Sequence, residues 1–246
     1  MIKVVLFGAR GRMGKMVTDE FADNSDIILV AGVERPDHPD FGGEFGGVPL
    51  LADGVELPEA DVWLDFSLAG PALEHARRSA ELGMPLVIAA TGFDGRALQE
   101  IERLSERAPM LLAPNLSVGI GAMDRIVGEA AGLLGADFDP AIVELHHRDK
   151  RDAPSGTALR LAERVSAGNC EPMVASIRAG GALGEHRVMF VGKFEELVIT
   201  HRAYSRRAFS RGAVRAVSFI VRRKPGLYSI RDMFDDLEAT VGGGDP

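Results

Sequence analysis

Two periodicities alternate along the first half of the chain. Apolar runs at Ile2–Phe7, Ile27–Val33, Val62–Phe66, Pro85–Ala90 and Met110–Ala113 are short and rich in β-branched residues. Runs that are apolar at nearly every position are expected of strands covered on both faces. Between them the apolar residues fall at helical spacing: Met16, Val17 and Phe21, then the stretches from Pro71 to Leu82 and from Gly95 to Glu106. Strand–helix alternation predicts a parallel sheet wound with helices on both sides. Residues 36–58 are rich in Pro, Gly and Asp and read as loop with one short strand, Val48–Leu51.

After Asn115 the pattern changes. Val118–Leu134 is Gly- and Ala-rich at helical spacing, and an apolar run over 140–147 reads as a strand. A helix follows on Leu159, Leu161, Ala162 and Val165. Three strand-like runs then come with no helix between them: Met173–Arg178, Arg187–Gly192 and Glu196–His201. Consecutive strands joined by short turns predict an antiparallel sheet, so a second domain is expected to begin near residue 118. Arg206–Val221 is again helical. The tail through Phe234 reads as ordered, and Gly242-Gly243-Gly244-Asp245-Pro246 does not.

The first strand runs straight into Gly8-Ala9-Arg10-Gly11-Arg12-Met13-Gly14, and the second ends at Glu34-Arg35. Strand, glycine turn, helix, strand and terminal acid is the order of a dinucleotide-binding unit. There the glycines let a pyrophosphate reach the helix N-terminus, and the acid takes the ribose hydroxyls. The spacing is GxxGxxG, looser than GxGxxG, so the surrounding strands and Glu34 carry the reading. Arg35 can accept a 2′-phosphate, which leaves both NADH and NADPH open. Ligands on such sheets collect at strand C-terminal ends, which singles out Phe66-Ser67, Ala89-Ala90-Thr91-Gly92 and Ala113-Pro114-Asn115-Leu116 as well.

The densest chemistry lies in Glu144-Leu145-His146-His147-Arg148-Asp149-Lys150-Arg151-Asp152-Ala153-Pro154-Ser155-Gly156-Thr157-Ala158. Two imidazoles and an ammonium leave a strand end, and a helix with unpaired N–H groups starts a few residues later, with Asp152 or Ser155 as cap. The N–H groups and the dipole behind them attract an anion. His146, His147 and Lys150 are proton donors that a pocket can tune. The combination suits a small anionic substrate that must receive a proton. Adjacent histidines on a strand point to opposite faces, which argues against a shared zinc ion. Ser155 lacks the setting of a nucleophile elbow. His201 reads as a satisfied structural histidine, and His186 as a residue that lines a pocket or pairs with Glu185.

Composition narrows the partners. Over 246 residues the net charge is −8, which disfavours nucleic acid, because phosphate backbones need a basic face. No run approaches the ~20 apolar residues of a membrane span. One cysteine, Cys170, excludes an internal disulfide and fits a reducing compartment. A cytoplasmic protein with no signal peptide is expected.

These motifs together resemble the dihydrodipicolinate reductase family, which acts in lysine and diaminopimelate biosynthesis. The resemblance runs over nearly the whole chain, through Gly8–Gly14, Glu34-Arg35, Asp65-Phe66-Ser67, Thr91-Gly92-Phe93-Asp94, Asn115–Gly119, Glu144–Ala158, Arg178-Ala179-Gly180, Gly184-Glu185-His186, Ile199-Thr200-His201 and Gly226-Leu227-Tyr228. It implies an α/β fold: a Rossmann-like, doubly wound parallel sheet over residues 1–117 and 206–246, with an α+β domain for substrate and oligomerisation inserted over 118–205. It implies NADH- or NADPH-dependent reduction of a cyclic imine dicarboxylate, in a homotetramer. His146 takes the place of the catalytic acid/base and Lys150 that of a second proton donor, with His147, Gly156 and Thr157 at the substrate carboxylate. The cofactor falls to Gly8, Ala9, Arg10, Gly11, Arg12, Met13, Gly14, Glu34, Arg35, Ala89, Ala90, Thr91, Ala113, Pro114, Asn115 and Leu116. Ala89-Ala90 stand where the family usually has Gly-Thr, and the segment between Val165 and Met173 is short. The residues by themselves leave two alternatives: an NAD(P)-dependent oxidoreductase of another small imino- or keto-dicarboxylate, and a nucleotide-sensing module.

Overall fold

A computed structural model describes residues 1–166 and 171–241, with side chains of the last helix described as far as residue 235. Cys170, most of the short segment after Val165 and the five terminal residues lie outside the described residues. The chain divides into two compact units, Met1–Leu116 with the chain from Phe209 onward, and Ser117–Ala208.

The first unit contains β1 (Ile2–Phe7), α1 (Arg12–Ala22), β2 (Ile27–Glu34), β3 (Glu44–Phe45), β4 (Val48–Ala52), β5 (Val62–Asp65), α2 (Ala69–Leu82), β6 (Leu86–Ile88), α3 (Gly95–Ser105) and β7 (Pro109–Leu112). Its later elements are α6 (Arg207–Ile220), which starts just before the boundary, β12 (Gly226–Tyr228) and α7 (Ile230–Val241). The eight strands pair in the order β12-β7-β6-β5-β1-β2-β4-β3. All are parallel except the β3–β4 hairpin, which the loop reading of 36–58 reduced to one strand. The sheet is doubly wound, as the alternating pattern predicts. β1 shows why its run is continuously apolar. Val4 and Leu6 enter a core with Val17 and Phe21 of α1 and Ala213, Ala216 and Val217 of α6. Val5 and Phe7 enter the opposite core with Ala72 and Ala76 of α2 and Ile101 and Leu104 of α3. Each buried Val, Leu, Ile or Phe among them contributes about 1.5–3 kcal/mol. α2 begins two residues before Pro71, because a proline in the first turn gives up no ladder hydrogen bond.

The second unit contains α4 (Val118–Leu134), β8 (Asp139–His146), α5 (Gly156–Ser166), β9 (Met173–Arg178), β10 (Glu185–Val191) and β11 (Glu196–Arg202). Its four strands pair in the order β11-β10-β8-β9. β10 is antiparallel to both neighbours. β9, however, runs parallel to β8, so the sheet is mixed and not the expected antiparallel one. The reason is α5, which carries the chain back along the sheet and makes β8-α5-β9 a crossover unit. Helices α4 and α5 cover one face, where Ile120, Val127, Leu161 and Val165 meet Ile142, Val188 and Phe190.

Candidate active site

In the second unit the chemistry gathers at the end of β8. Strand alternation puts Glu144 and His146 on the same, helix-covered face, the former 0% and the latter 8% exposed. His147, one residue past the strand, is half-buried and off that face. His146 Nδ1 bonds Glu144 Oε2. Arg178 of β9, paired with His146 in the parallel ladder, binds both Glu144 oxygens at 2.7 and 2.9 Å and also the Asp152 carbonyl at 2.6 Å. The Ser155 amide donates to Glu144 Oε1 at 3.2 Å. Glu144 thus ties together the catalytic-candidate imidazole, the neighbouring strand and the start of α5.

Ser155, not Asp152, caps α5: its hydroxyl accepts from the Ala158 amide at 3.2 Å. The same hydroxyl lies 3.2 Å from His186 Nε2, and His186 Nδ1 is buried with no hydrogen-bond partner among the described residues. Its ring meets His146 edge-on, centroids 5.2 Å apart. Gly156 and Thr157 supply the first α5 amides, ahead of the helical ladder. Gly184 lies beside the free edge of His146: a β-carbon there would sit 3.2 Å from Nε2. Lys150 Nζ holds both Asp152 carboxylate oxygens at 2.8 Å.

Electrostatics follow from these contacts. Burial alone would raise the Glu144 carboxyl, but hydrogen bonds from Arg178, Ser176 and His146 overcome it and hold the group at about 2. His146 is pushed below the usual imidazole range by burial, with Glu144 opposing and Lys150 and Arg178 reinforcing. Burial, then the charge of His146, pushes His186 down to about 4. At neutral pH the unit presents a neutral His146 with Nδ1–H held by a carboxylate and Nε2 open. His201 is less satisfied than expected: Nε2 lies 3.3 Å from Ser117 Oγ, while Nδ1 is buried without a partner.

In the first unit the other candidates line the C-terminal ends of β1, β2, β6 and β7. Gly8 takes φ +70°, and a β-carbon on it would press on the Phe66–Ser67 backbone. Gly14, inside α1, packs against the Gly8 and Ala9 carbonyls. Gly11 is extended and leaves α1 without a side-chain cap on its first amides. Glu34 Oε1 accepts from the Arg10 amide at 2.8 Å, which joins the end of β2 to the glycine turn. The Arg10 guanidinium pairs with Asp40 at 3.1 Å and covers Phe45. Arg12 is exposed at the helix start, and Arg35 pairs with Asp37 at 3.2 Å. Ala9, Ala90, Ala113 and Leu116 are buried, so only their backbones are available to a ligand. Met13 and Ala89 pack against the core, whereas Thr91 and Pro114 are exposed and Asn115 is half-buried. A cavity of about 270 Å³ opens here, lined by Gly8, Gly11, Glu34 and Arg35 among others. An uncapped helix start, a turn that excludes side chains and an acid at the second strand end fit a dinucleotide.

Residues 2–116 match the family described as dihydrodipicolinate reductase, N-terminus, and residues 119–234 match dihydrodipicolinate reductase, C-terminus. The chain belongs to the dihydrodipicolinate reductase family. It is 38% identical over 261 residues to the 4-hydroxy-tetrahydrodipicolinate reductase of Syntrophobacter fumaroxidans, covering 94% of this chain and 97% of that one. The enzyme of the same name from Magnetococcus marinus is 38% identical over 262 residues, with 94% and 98% covered. Among solved structures, a dipicolinate-bound dihydrodipicolinate reductase from Paenisporosarcina sp. TG-14 has the same fold, with TM-score 0.79, 24% identity and 94% and 99% coverage.

Three residues of this candidate site, Glu144, Arg178 and His186, were not singled out from sequence for the roles they take, whereas Ser155 was read there as one of two possible caps. Glu144 and Ser155 stand inside the motif, and strand alternation places Glu144 with His146. Arg178 and His186 come from strands whose pairing no local pattern reveals.

Proposed function

We propose that this chain reduces 4-hydroxy-tetrahydrodipicolinate to tetrahydrodipicolinate at the expense of NADH or NADPH, in lysine and diaminopimelate biosynthesis. Overall, the 4-hydroxyl is replaced by hydrogen: the substrate gains a hydride and a proton and loses water. When bound, NAD(P)H would supply the hydride. The first α5 amides, at Gly156 and Thr157, receive one substrate carboxylate, and His147 is a further candidate for binding it. Lys150 exchanges its contact with the exposed Asp152 for the substrate's negative charge. That charge draws a proton onto His146. Because Glu144 retains Nδ1–H, the transferable proton sits on Nε2, beside Gly184, and passes from there to the ring as hydride arrives. Lys150 is the second donor.

The buried Glu144–His146 pair at the head of α5 is the observation that carries this reading. It gives an imidazole one fixed tautomer next to an anion-binding helix start. The test couples the preceding synthase to oxidation of NADH or NADPH. His146→Gln is expected to lower kcat by about 10²–10⁴-fold, the usual worth of a general acid, and to leave coenzyme affinity intact. Wild-type turnover in that variant removes His146 from the chemistry.

A homotetramer belongs to the same proposal. The sheet face of the second unit away from α4 and α5 carries Val143, Leu145, Met173, Ile177, Met189 and Val198, with Met173 77% and Ile177 47% exposed. The same face also carries Glu185, Arg187, Glu196 and Arg202, and its exposed apolar side chains support burial against further copies. Light scattering on the purified chain measures the assembly. A cytoplasmic location is also proposed, supported by the single cysteine.

A further inference from the structure

One residue lining the cavity at the glycine turn, His75, has surroundings that the reaction does not account for. His75 of α2 is 1% exposed and lies between two carboxylates, with Nδ1 at 2.6 Å from Asp65 Oδ2 and Nε2 at 3.0 Å from Asp53 Oδ2. Its ring stacks on Phe7, centroids 3.9 Å apart. Carboxylates only accept, so both ring nitrogens donate and the ring is an imidazolium. Burial opposes that charge, but the hydrogen bonds and charges of Asp65 and Asp53 prevail and hold the His75 pKa above its usual value. Asp65 is fully buried, and its other oxygen accepts from the Ser67 amide at 2.6 Å. Asp53 differs. Its Oδ1 has only Arg78 Nη1 at 3.8 Å, the side chain is 31% exposed, and the residue lines the cavity with Leu68 and Pro71.

We propose that Asp53, oriented by His75, is the residue that selects adenine as the base of the dinucleotide. The inference rests on the cofactor reading above and adds the base preference. With Oδ2 fixed on His75, Asp53 offers the cavity an acceptor and no donor. Glu34, where the ribose is expected, lies on the same cavity, and Leu68 and Pro71 supply apolar walls for a flat ring. Adenine presents a 6-amino donor to such an acceptor. Hypoxanthine presents a carbonyl oxygen, which a carboxylate repels.

The experiment titrates the full chain with NADH and with reduced nicotinamide hypoxanthine dinucleotide, following coenzyme fluorescence. Wild type is expected to bind NADH about tenfold or more tightly than the hypoxanthine analogue, the discrimination a charged hydrogen bond gives. In Asp53→Asn, His75 retains the amide oxygen and turns the NH₂ group toward the cavity. The preference is expected to invert, with the hypoxanthine dinucleotide bound more tightly. Equal wild-type affinity for the two overturns the inference even if the variant does not fold, and leaves the cofactor reading standing. An unchanged preference in a folded Asp53→Asn also overturns it. Binding of neither dinucleotide by wild type removes the cofactor reading and this inference with it.

Discussion

The two units hold their candidate sites by different means. In the first unit the ligand-facing surface is mostly backbone: the turn from Gly8 to Gly11, the open amides of α1 and the strand ends at Ala89 and Ala113. Side chains there are mostly kept out, as Gly8 and Gly14 show. In the second unit the surface is made of side chains from separate elements, with Glu144 and His146 from β8, Ser155 from the α5 start, Arg178 from β9 and His186 from β10. A backbone site tolerates changes of side chain but not added bulk. A side-chain network tolerates little loss, because each member leaves a buried partner unpaired.

The largest expected effect therefore falls on the network. Glu144→Gln keeps the shape but removes the charge that pairs with Arg178 and fixes the His146 tautomer. Leaving the guanidinium without its carboxylate is expected to cost about 3 kcal/mol of stability, the scale for one partner lost from a buried pair. Turnover is expected to fall about 10²-fold or more through the misoriented imidazole. Urea denaturation and the coupled assay measure the two effects, and coenzyme affinity in the first unit serves as control. Loss of coenzyme binding alone would reverse the assignment of the two units.

The backbone site is broken in the opposite way, by adding one carbon. Gly14→Ala drives a β-carbon into the carbonyl oxygens of Gly8 and Ala9, neither of which is a flexible side chain. Overpacking of this kind costs about 1–3 kcal/mol. Because the strain falls on the glycine turn itself, about tenfold weaker NADH binding is expected by fluorescence titration. Full affinity in Gly14→Ala would show that the turn does not hold the coenzyme.

This difference also decides how much could be read in advance. Glycines at fixed spacing after an apolar run leave a local trace, so the turn, Glu34 and the doubly wound sheet were legible. So was the 144–158 motif, where His146, Lys150, Gly156 and Thr157 stand within one segment. Arg178 and His186 were not, because their proximity depends on β9 pairing parallel with β8 and β10 lying on the other side. The run of three strands without an intervening helix hid that pairing, since α5 had already made the crossover. Asp53 and His75 left no signal for the same reason: residues 22 positions apart meet only once α2 packs on the sheet.

pH sharpens the contrast, because it acts on the second unit's network at a predictable place. His186 has a folded pKa near 4, below its unfolded value. A depressed imidazole contributes fully above about pH 6.5, and that stability is lost as pH falls through the window toward 4, with about 3 kcal/mol at stake. Glu144, held at about 2, adds a further loss below about pH 4.5. Urea midpoints at pH 7 and pH 4.5 are expected to lie closer together in His186→Gln than in wild type. An unchanged gap would mean that the fold does not depress the imidazole.

The smallest effect is expected at the rim of the backbone site, where a side chain is retained for what it adds. Arg35 is 67% exposed and among the described residues pairs with Asp37, itself 76% exposed. An ion pair so open contributes about 0–1 kcal/mol to the fold, so Arg35→Ala is expected to leave stability and NADH affinity nearly unchanged. Its guanidinium follows Glu34, beside which a ribose 2′-phosphate would lie. Removing it is expected to weaken NADPH several-fold, since a charge-assisted contact with phosphate is the stronger kind of hydrogen bond. The ratio of the two coenzyme affinities is therefore the quantity to measure, and a ratio that does not move assigns the 2′-position to Arg10 or Arg12 instead.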